Sequence, residues 1–188
     1  HFLHIILRSY VLLIAGNWKL NCNLSQAIAL SSSIFDLLSN RKILSEVALF
    51  PPVIYIDTIK KMINNEKVSI GAQDCSMNLS GAFTGEVSAP MLLDIGCKYI
   101  IVGHSERRNG KDESNKDVYL KAKNVIDNKM IPIICVGESL KDREAGNALQ
   151  FIESQLKESI PIYTENREFI IAYEPIWAIG SGKIPTID

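Results

Sequence analysis

The sequence predicts an α/β protein, an incomplete (β/α)₈ barrel made of its first six βα units. Three observations point there. Short apolar runs rich in Ile and Val recur along the chain. Amphipathic segments of helical period separate them. The runs begin near residues 10, 46, 67, 98, 132 and 168, a mean step of about 32 residues, the spacing of βα units.

The runs are YVLLIAG (10–16), EVALF (46–50), KVSIGA (67–72), KYIIVG (98–103), PIICVG (132–137) and EFIIAY (168–173). Gly, Pro or polar residues bound each, and near-continuous apolar character fits parallel strands covered on both faces. LSQAIALSSSIFDLLS (24–39) has helical spacing, with Ser25 as the expected N-cap. SAPMLLDIG (88–96) reads as a short helix with Pro90 in its first turn and Gly96 near its end. Segments 115–129 and 147–160 are amphipathic. Alternation of this kind implies a parallel sheet with right-handed crossovers. Eight units need roughly 250 residues, and six fit in 188. Pro185 and Thr186 read as the approach to a sixth helix, so the chain is expected to hold about three quarters of a barrel. Strands one and six would then be open edges. An open doubly wound sheet has the same periodicity, but no G-x-G-x-x-G follows the first strand.

Composition narrows the function. Twenty basic residues oppose 21 acidic ones, net −1, which leaves no footprint for nucleic acid or an anionic membrane. Cys22, Cys75, Cys97 and Cys135 form no C-x-x-C pair, against a disulfide scaffold or a cysteine zinc site. The histidines are His1, His4 and His104, too few for a His-rich metal site. A reduced compartment is the simplest expectation. Arg8 and Ser9 interrupt the apolar N-terminus, which is too short to span a bilayer and lacks the order of a secretory signal. Residues 1–7 are expected to be extra N-terminal residues or the stub of a leader, ahead of a domain over 8–188.

Chemistry-bearing residues gather just after the strands, where barrel active sites lie. Asn17 and Lys19 follow strand one, and Gln73 and Asp74 strand three. His104, Ser105 and Glu106 follow strand four, Glu138 strand five and Glu174 strand six. In a barrel these ends converge, so a carboxylate base, an imidazole and a cation share one cavity. A lone histidine is more often structural, but its place at a strand end before Ser-Glu-Arg-Arg favours function. A Ser-His-Asp hydrolase is excluded, because Ser105 adjoins His104 and no G-x-S-x-G elbow exists.

Two loops stand out. PIWAIGSGKIP (175–185) has stiff flanks and Gly180 and Gly182 at its tip, where backbone N–H groups can approach an anion. It fits a closing lid, or else a surface turn anchored by Trp177. DCSMNLSGAFTGEVS (74–88) is long and carries Met77, Ala82 and Phe83 without helical period, which fits insertion into a partner.

Five segments together resemble the triosephosphate isomerase family. They are GNWKLN (16–21), GAQDCSMNLSGAFTGEVS (71–88), YIIVGHSERR (99–108), CVGESLKDREAG (135–146) and AYEPIWAIGSGK (172–183), in the family's order. The resemblance covers residues 8 to 187 and implies a TIM barrel, isomerisation of triose phosphates in glycolysis and gluconeogenesis, and no cofactor or metal. It implies Glu174 as the base and His104 as the neutral electrophile. Lys19 would be the cation that binds substrate, with Asn17 beside it in the oxyanion site and Glu106 as the carboxylate next to Lys19. It implies a lid of Pro175, Ile176, Trp177, Ala178, Ile179, Gly180, Ser181, Gly182 and Lys183, with the Gly180 N–H on the phosphate. It further implies a homodimer docked through Met77, Phe83 and Thr84, with no nucleic-acid or membrane partner. The implied compartment is the cytoplasm, or an organelle if residues 1–7 belong to a transit peptide. Lys111 stands where the family usually has Phe, Asp74 where it has Asn, and Ser181 where Thr is commoner. The alternatives are a truncated, inactive chain acting as an interaction module, and a different phosphosugar barrel enzyme.

Overall fold

The computed structural model describes residues 2–4, 12–39, 41–42, 44–63, 66–162 and 167–178. Seven strands form one sheet in chain order: β1 (Phe2–His4), β2 (Leu13–Asn17), β3 (Glu46–Phe50), β4 (Val68–Ala72), β5 (Tyr99–Val102), β6 (Ile131–Val136) and β7 (Ile170–Tyr173). The six from β2 onward pair in parallel, each with its sequence neighbour. All six apolar runs are therefore strands. The helices are α1 (Leu24–Ser39), α2 (Ile56–Met62), α3 (Ala89–Asp94), α4 (Ser105–Gly110), α5 (Asn115–Asp127), α6 (Leu140–Glu144) and α7 (Ala148–Ser159).

One edge differs from expectation. The open side of β2 is occupied by β1, which runs antiparallel, with Phe2 opposite Gly16 and His4 opposite Ile14. An unpaired strand edge offers a row of free N–H and C=O groups, and the N-terminal segment takes it up. Cα atoms of β1 also come within 8 Å of β7, so the sheet curls toward closure.

Alternate residues of each strand serve two cores. Val47, Leu49, Ile70, Ile100, Val102 and Ile134 face the helices and pack with Ile56, Leu92 and Val118. Ala48, Phe50, Tyr99, Ile101, Ile133 and Ala172 fill the concave interior. Gly71 belongs to that interior. A Cβ there would stand 2.3 Å from the Phe50 ring and 2.5 Å from the Tyr99 carbonyl, so its absence makes room for the ring.

Local chemistry sets the helix starts. Helix α1 is capped by Asn23, not by Ser25. The Asn23 side chain accepts the Gln26 N–H at 3.0 Å, and Gln26 returns an acceptor to the Asn23 N–H at 2.9 Å. This reciprocal pair needs a residue three before Gln26, and Ser25 lies inside the first turn. Ser114 and Asp117 cap α5 in the same way, as Ser139 and Asp142 cap α6. Helix α3 has Pro in its first turn, and Gly96 just beyond it has φ +83°. Among the described residues no helix is long and apolar enough to cross a membrane.

Candidate active site at the strand ends

Parallel strands deliver their C-terminal residues to one rim. There the side chains form a chain of contacts from β2 to β7. Lys19, two residues past β2, has φ +54°. Its N–H donates to Asn17 Oδ1 at 3.0 Å, and its carbonyl accepts from Gln73 Nε2 at 2.9 Å. The same Gln73 nitrogen donates to the Phe50 carbonyl, tying the ends of β3 and β4 to the Lys19 turn. A left-handed backbone costs a non-glycine residue energy, and these two bonds hold it. Lys19 Nζ meets Glu106 Oε1 at 2.7 Å.

His104 is 4% exposed and is the N-cap of α4. Its Nδ1 accepts the Glu106 N–H at 3.2 Å. That bond occupies the Nδ1 lone pair, so the single proton of the neutral ring sits on Nε2. Nε2 points toward Glu174 Oε2, 3.6 Å away. Ser105 Oγ donates to the same carboxylate oxygen at 3.2 Å. Glu174 is largely buried, and its N–H donates to the Val136 carbonyl. Asn17, Lys19, His104, Glu106 and Glu174 thus meet at one rim. Ser105, excluded as a nucleophile, contacts the Glu174 carboxylate.

Glu138 is fully buried after β6. Its Oε1 accepts from Trp177 Nε1 at 2.8 Å, Tyr173 Oη at 3.2 Å and Arg143 Nη1 at 3.2 Å. The Arg143 guanidinium also lies over the Trp177 ring, 4.9 Å from its centre. One carboxylate therefore fastens the start of the expected lid, where Ile176–Ala178 form a 3₁₀ turn. Its strand-end position was visible in the sequence, but its partners were not. Ile179, Gly180, Ser181, Gly182 and Lys183 lie outside the described residues.

The 74–88 loop is tied down at its base. Asp74 pairs with Lys121 at 2.8 Å and with Arg107 at 2.8 Å. Lys121 and Arg107 also share Glu113, at 2.8 and 3.0 Å. Burial pushes the Asp74 carboxyl above its usual range, against the pull of the two cations. Ser76 donates to Glu86 across the loop, and Asn124 of α5 holds the Met77 carbonyl at 2.9 Å. Met77, Ala82, Phe83 and Thr84 are exposed beyond this base. A cavity of about 440 Å³ opens beside it, bordered by Asp74, Glu86, Arg107, Lys111 and Lys121. Among the described residues no cluster of His, Cys, Asp and Glu is arranged to hold a metal ion.

A parallel barrel rim carrying a carboxylate, an imidazole and an ammonium group defines a class: barrel enzymes that work by proton transfer. The sequence model of the triosephosphate isomerase family matches residues 12–188. The triosephosphate isomerase of Saccharopolyspora erythraea is 46% identical over 179 residues, covering 93% of this chain and 69% of that protein. That of Legionella pneumophila strain Paris is 44% identical over 175 residues, 93% and 70% of the two chains. The crystal structure of triosephosphate isomerase from Bartonella henselae superposes with a TM-score of 0.76 at 34% identity, over 88% of this chain and 68% of that one. The chain belongs to the triosephosphate isomerase family.

The buried ion cluster generates a stability prediction. Lys121→Met removes the buried one of the two cations shared by Asp74 and Glu113, leaving them to the half-exposed Arg107, and is expected to cost about 3–5 kcal/mol. Lys157→Met removes an exposed i,i+4 partner of Glu153 and is expected to cost less than about 0.5 kcal/mol. Urea denaturation midpoints measure both, and equal midpoints for the two variants contradict the cluster's role.

Proposed function

We propose that this chain interconverts dihydroxyacetone phosphate and D-glyceraldehyde 3-phosphate. The carrying observation is the placement of Glu174 Oε2 beside His104 Nε2, at 3.6 Å, on the rim that also holds Lys19. Glu174 removes a proton from the hydroxymethyl carbon of dihydroxyacetone phosphate. The released electron pair forms the enediolate double bond, and charge moves to the former carbonyl oxygen. The His104 Nε2–H donates to that oxygen and the Lys19 ammonium stabilises its charge. His104 gives a proton to that oxygen and takes one from the terminal hydroxyl, and Glu174 returns its proton to the adjacent carbon, which yields the aldehyde. Asn17 holds the Lys19 turn, and Glu106 keeps the ammonium at the rim. Residues 175–183 are the lid, with the Gly180 N–H on the phosphate, and closure keeps water from the enediolate.

The reaction belongs to glycolysis and gluconeogenesis. Its setting in this reading is the cytoplasm, supported by four free cysteines. In this reading the domain runs over residues 8–188, and residues 1–7 are an N-terminal addition whose strand β1 joins its sheet. The active form is a homodimer docked through Met77, Phe83 and Thr84, supported by the apolar side chains that the tethered 74–88 loop exposes. The near-even charge supports a small-molecule substrate and no nucleic-acid partner.

Glu174→Gln keeps the shape but removes the base, and kcat is expected to fall at least ~10²-fold. His104→Gln is expected to lower kcat more than it raises KM. A coupled spectrophotometric assay with glyceraldehyde 3-phosphate reads both. Unchanged turnover in Glu174→Gln removes that residue from the reaction, and a His104 effect confined to KM makes it a binding group. Phe83→Asp is expected to shift sedimentation toward monomer and lower activity with it, and a wild-type monomer at micromolar concentration contradicts the dimer.

A further inference from the structure

Glu174 is pressed against a residue that has no side chain. Past their strand ends, 136–138 and 174–176 continue side by side. The Glu174 N–H donates to the Val136 carbonyl at 2.9 Å, and the Ile176 N–H to the Glu138 carbonyl at 3.2 Å. Between these two rungs lies Gly137. A Cβ built on it would stand 1.8 Å from the Glu174 carbonyl oxygen and 2.9 Å from the carbonyl carbon. Ordinary contact begins near 3.4 Å, so any side chain there must drive the two backbones well over 1 Å apart.

Gly137 is held from behind. Its N–H donates to Gln155 Oε1 at 2.9 Å, a buried bond to helix α7. Gln155 is itself buried, so this bond has little competition from water. The Gly137 peptide therefore cannot retreat easily, and the Glu174 backbone packs on a fixed surface. The Glu174 carboxylate contacts Ser105 and His104 at 3.2 and 3.6 Å, distances that a shift of more than 1 Å abolishes.

We propose that Gly137, braced by Gln155, is a positioning residue that sets where the Glu174 carboxylate stands. The proposal rests on the reading of Glu174 as the base. Among the described residues neither hydrogen-bonds Lys19 or Asn17. Their loss therefore falls first on the proton-transfer step, and the Lys19 and Asn17 contacts stay in place.

The test compares wild type, Gly137→Ala, Gln155→Leu, Gln155→Glu and Lys157→Met in the whole chain. Lys157 is exposed and pairs with Glu153 on its own helix, so that variant is the control. In Gly137→Ala kcat is expected to fall ~10²-fold, the scale of a 1 Å misplacement, with KM little changed. Gln155→Leu is expected to lower kcat less, and Gln155→Glu, which keeps an acceptor for the Gly137 N–H, to recover it. Crystal structures read the position directly, with the Glu174 carboxylate expected more than 1 Å from its wild-type place in Gly137→Ala. An unmoved carboxylate, or wild-type kcat in both Gly137→Ala and Gln155→Leu, overturns the proposal. Should Gly137→Ala fail to fold, the two Gln155 variants decide it. A wild-type chain without isomerase activity counts against the proposed function, and the crystallographic displacement still decides the role of Gly137.

Discussion

The site depends on one short helix held from four directions. Helix α4 is six residues long, and its first four side chains each reach a different part of the barrel. Ser105 meets Glu174 after β7, Glu106 meets Lys19 after β2, and Arg107 meets Asp74 after β4. Arg108 turns inward. Its guanidinium donates to the Gly103 carbonyl at 2.8 Å, Asn115 Oδ1 at 2.6 Å, the Cys135 carbonyl at 3.2 Å and Ser159 Oγ at 3.2 Å. Burial lowers its pKa, and neutral oxygens on β6, α5 and α7 solvate the charge in place of water. A rigid fork suits such a cradle better than a flexible ammonium does. With α4 pinned, the His104 ring, the Ser105 hydroxyl and the Glu106 carboxylate share one frame.

Much of this architecture was legible in the residues. The six parallel strands were visible because burial on both faces leaves unbroken apolar runs, and the long helices because their apolar residues recur at helical spacing. Helices α2, α4 and α6 escaped, since five to seven residues are too few to show a period. The cap of α1 was placed two residues late, because Ser25 is a common capping residue and only the Asn23–Gln26 pairing shows which residue holds the role. Strand β1 escaped as well. Its partner is an edge created by the rest of the fold, and nothing local in FLH announces that pairing.

The candidate site was legible by position, not by partnership. The rule that barrel chemistry sits after the strands picked out Asn17, Lys19, Gln73, His104, Ser105, Glu138 and Glu174 without any contact being known. The contacts themselves join residues far apart in sequence: Lys19 with Glu106, Ser105 with Glu174, and Trp177 with Glu138. Gly137 was invisible for another reason, because its importance lies in the space that Glu174 occupies. Asp74 shows how the frame absorbs a departure. An acid where the family resemblance leads one to expect Asn adds a partly buried charge, and Lys121 and Arg107 pair with it.

Arg108 fixes α4 and, through it, the site. Native-state hydrogen exchange of the α4 amides in wild type and Arg108→Lys tests this most directly. The lysine keeps the charge but cannot fill the fork. Faster exchange is expected at the Arg107, Arg108 and Lys111 amides, with the central amides of α5 unchanged. Equal protection of the α4 amides in the two proteins would contradict it.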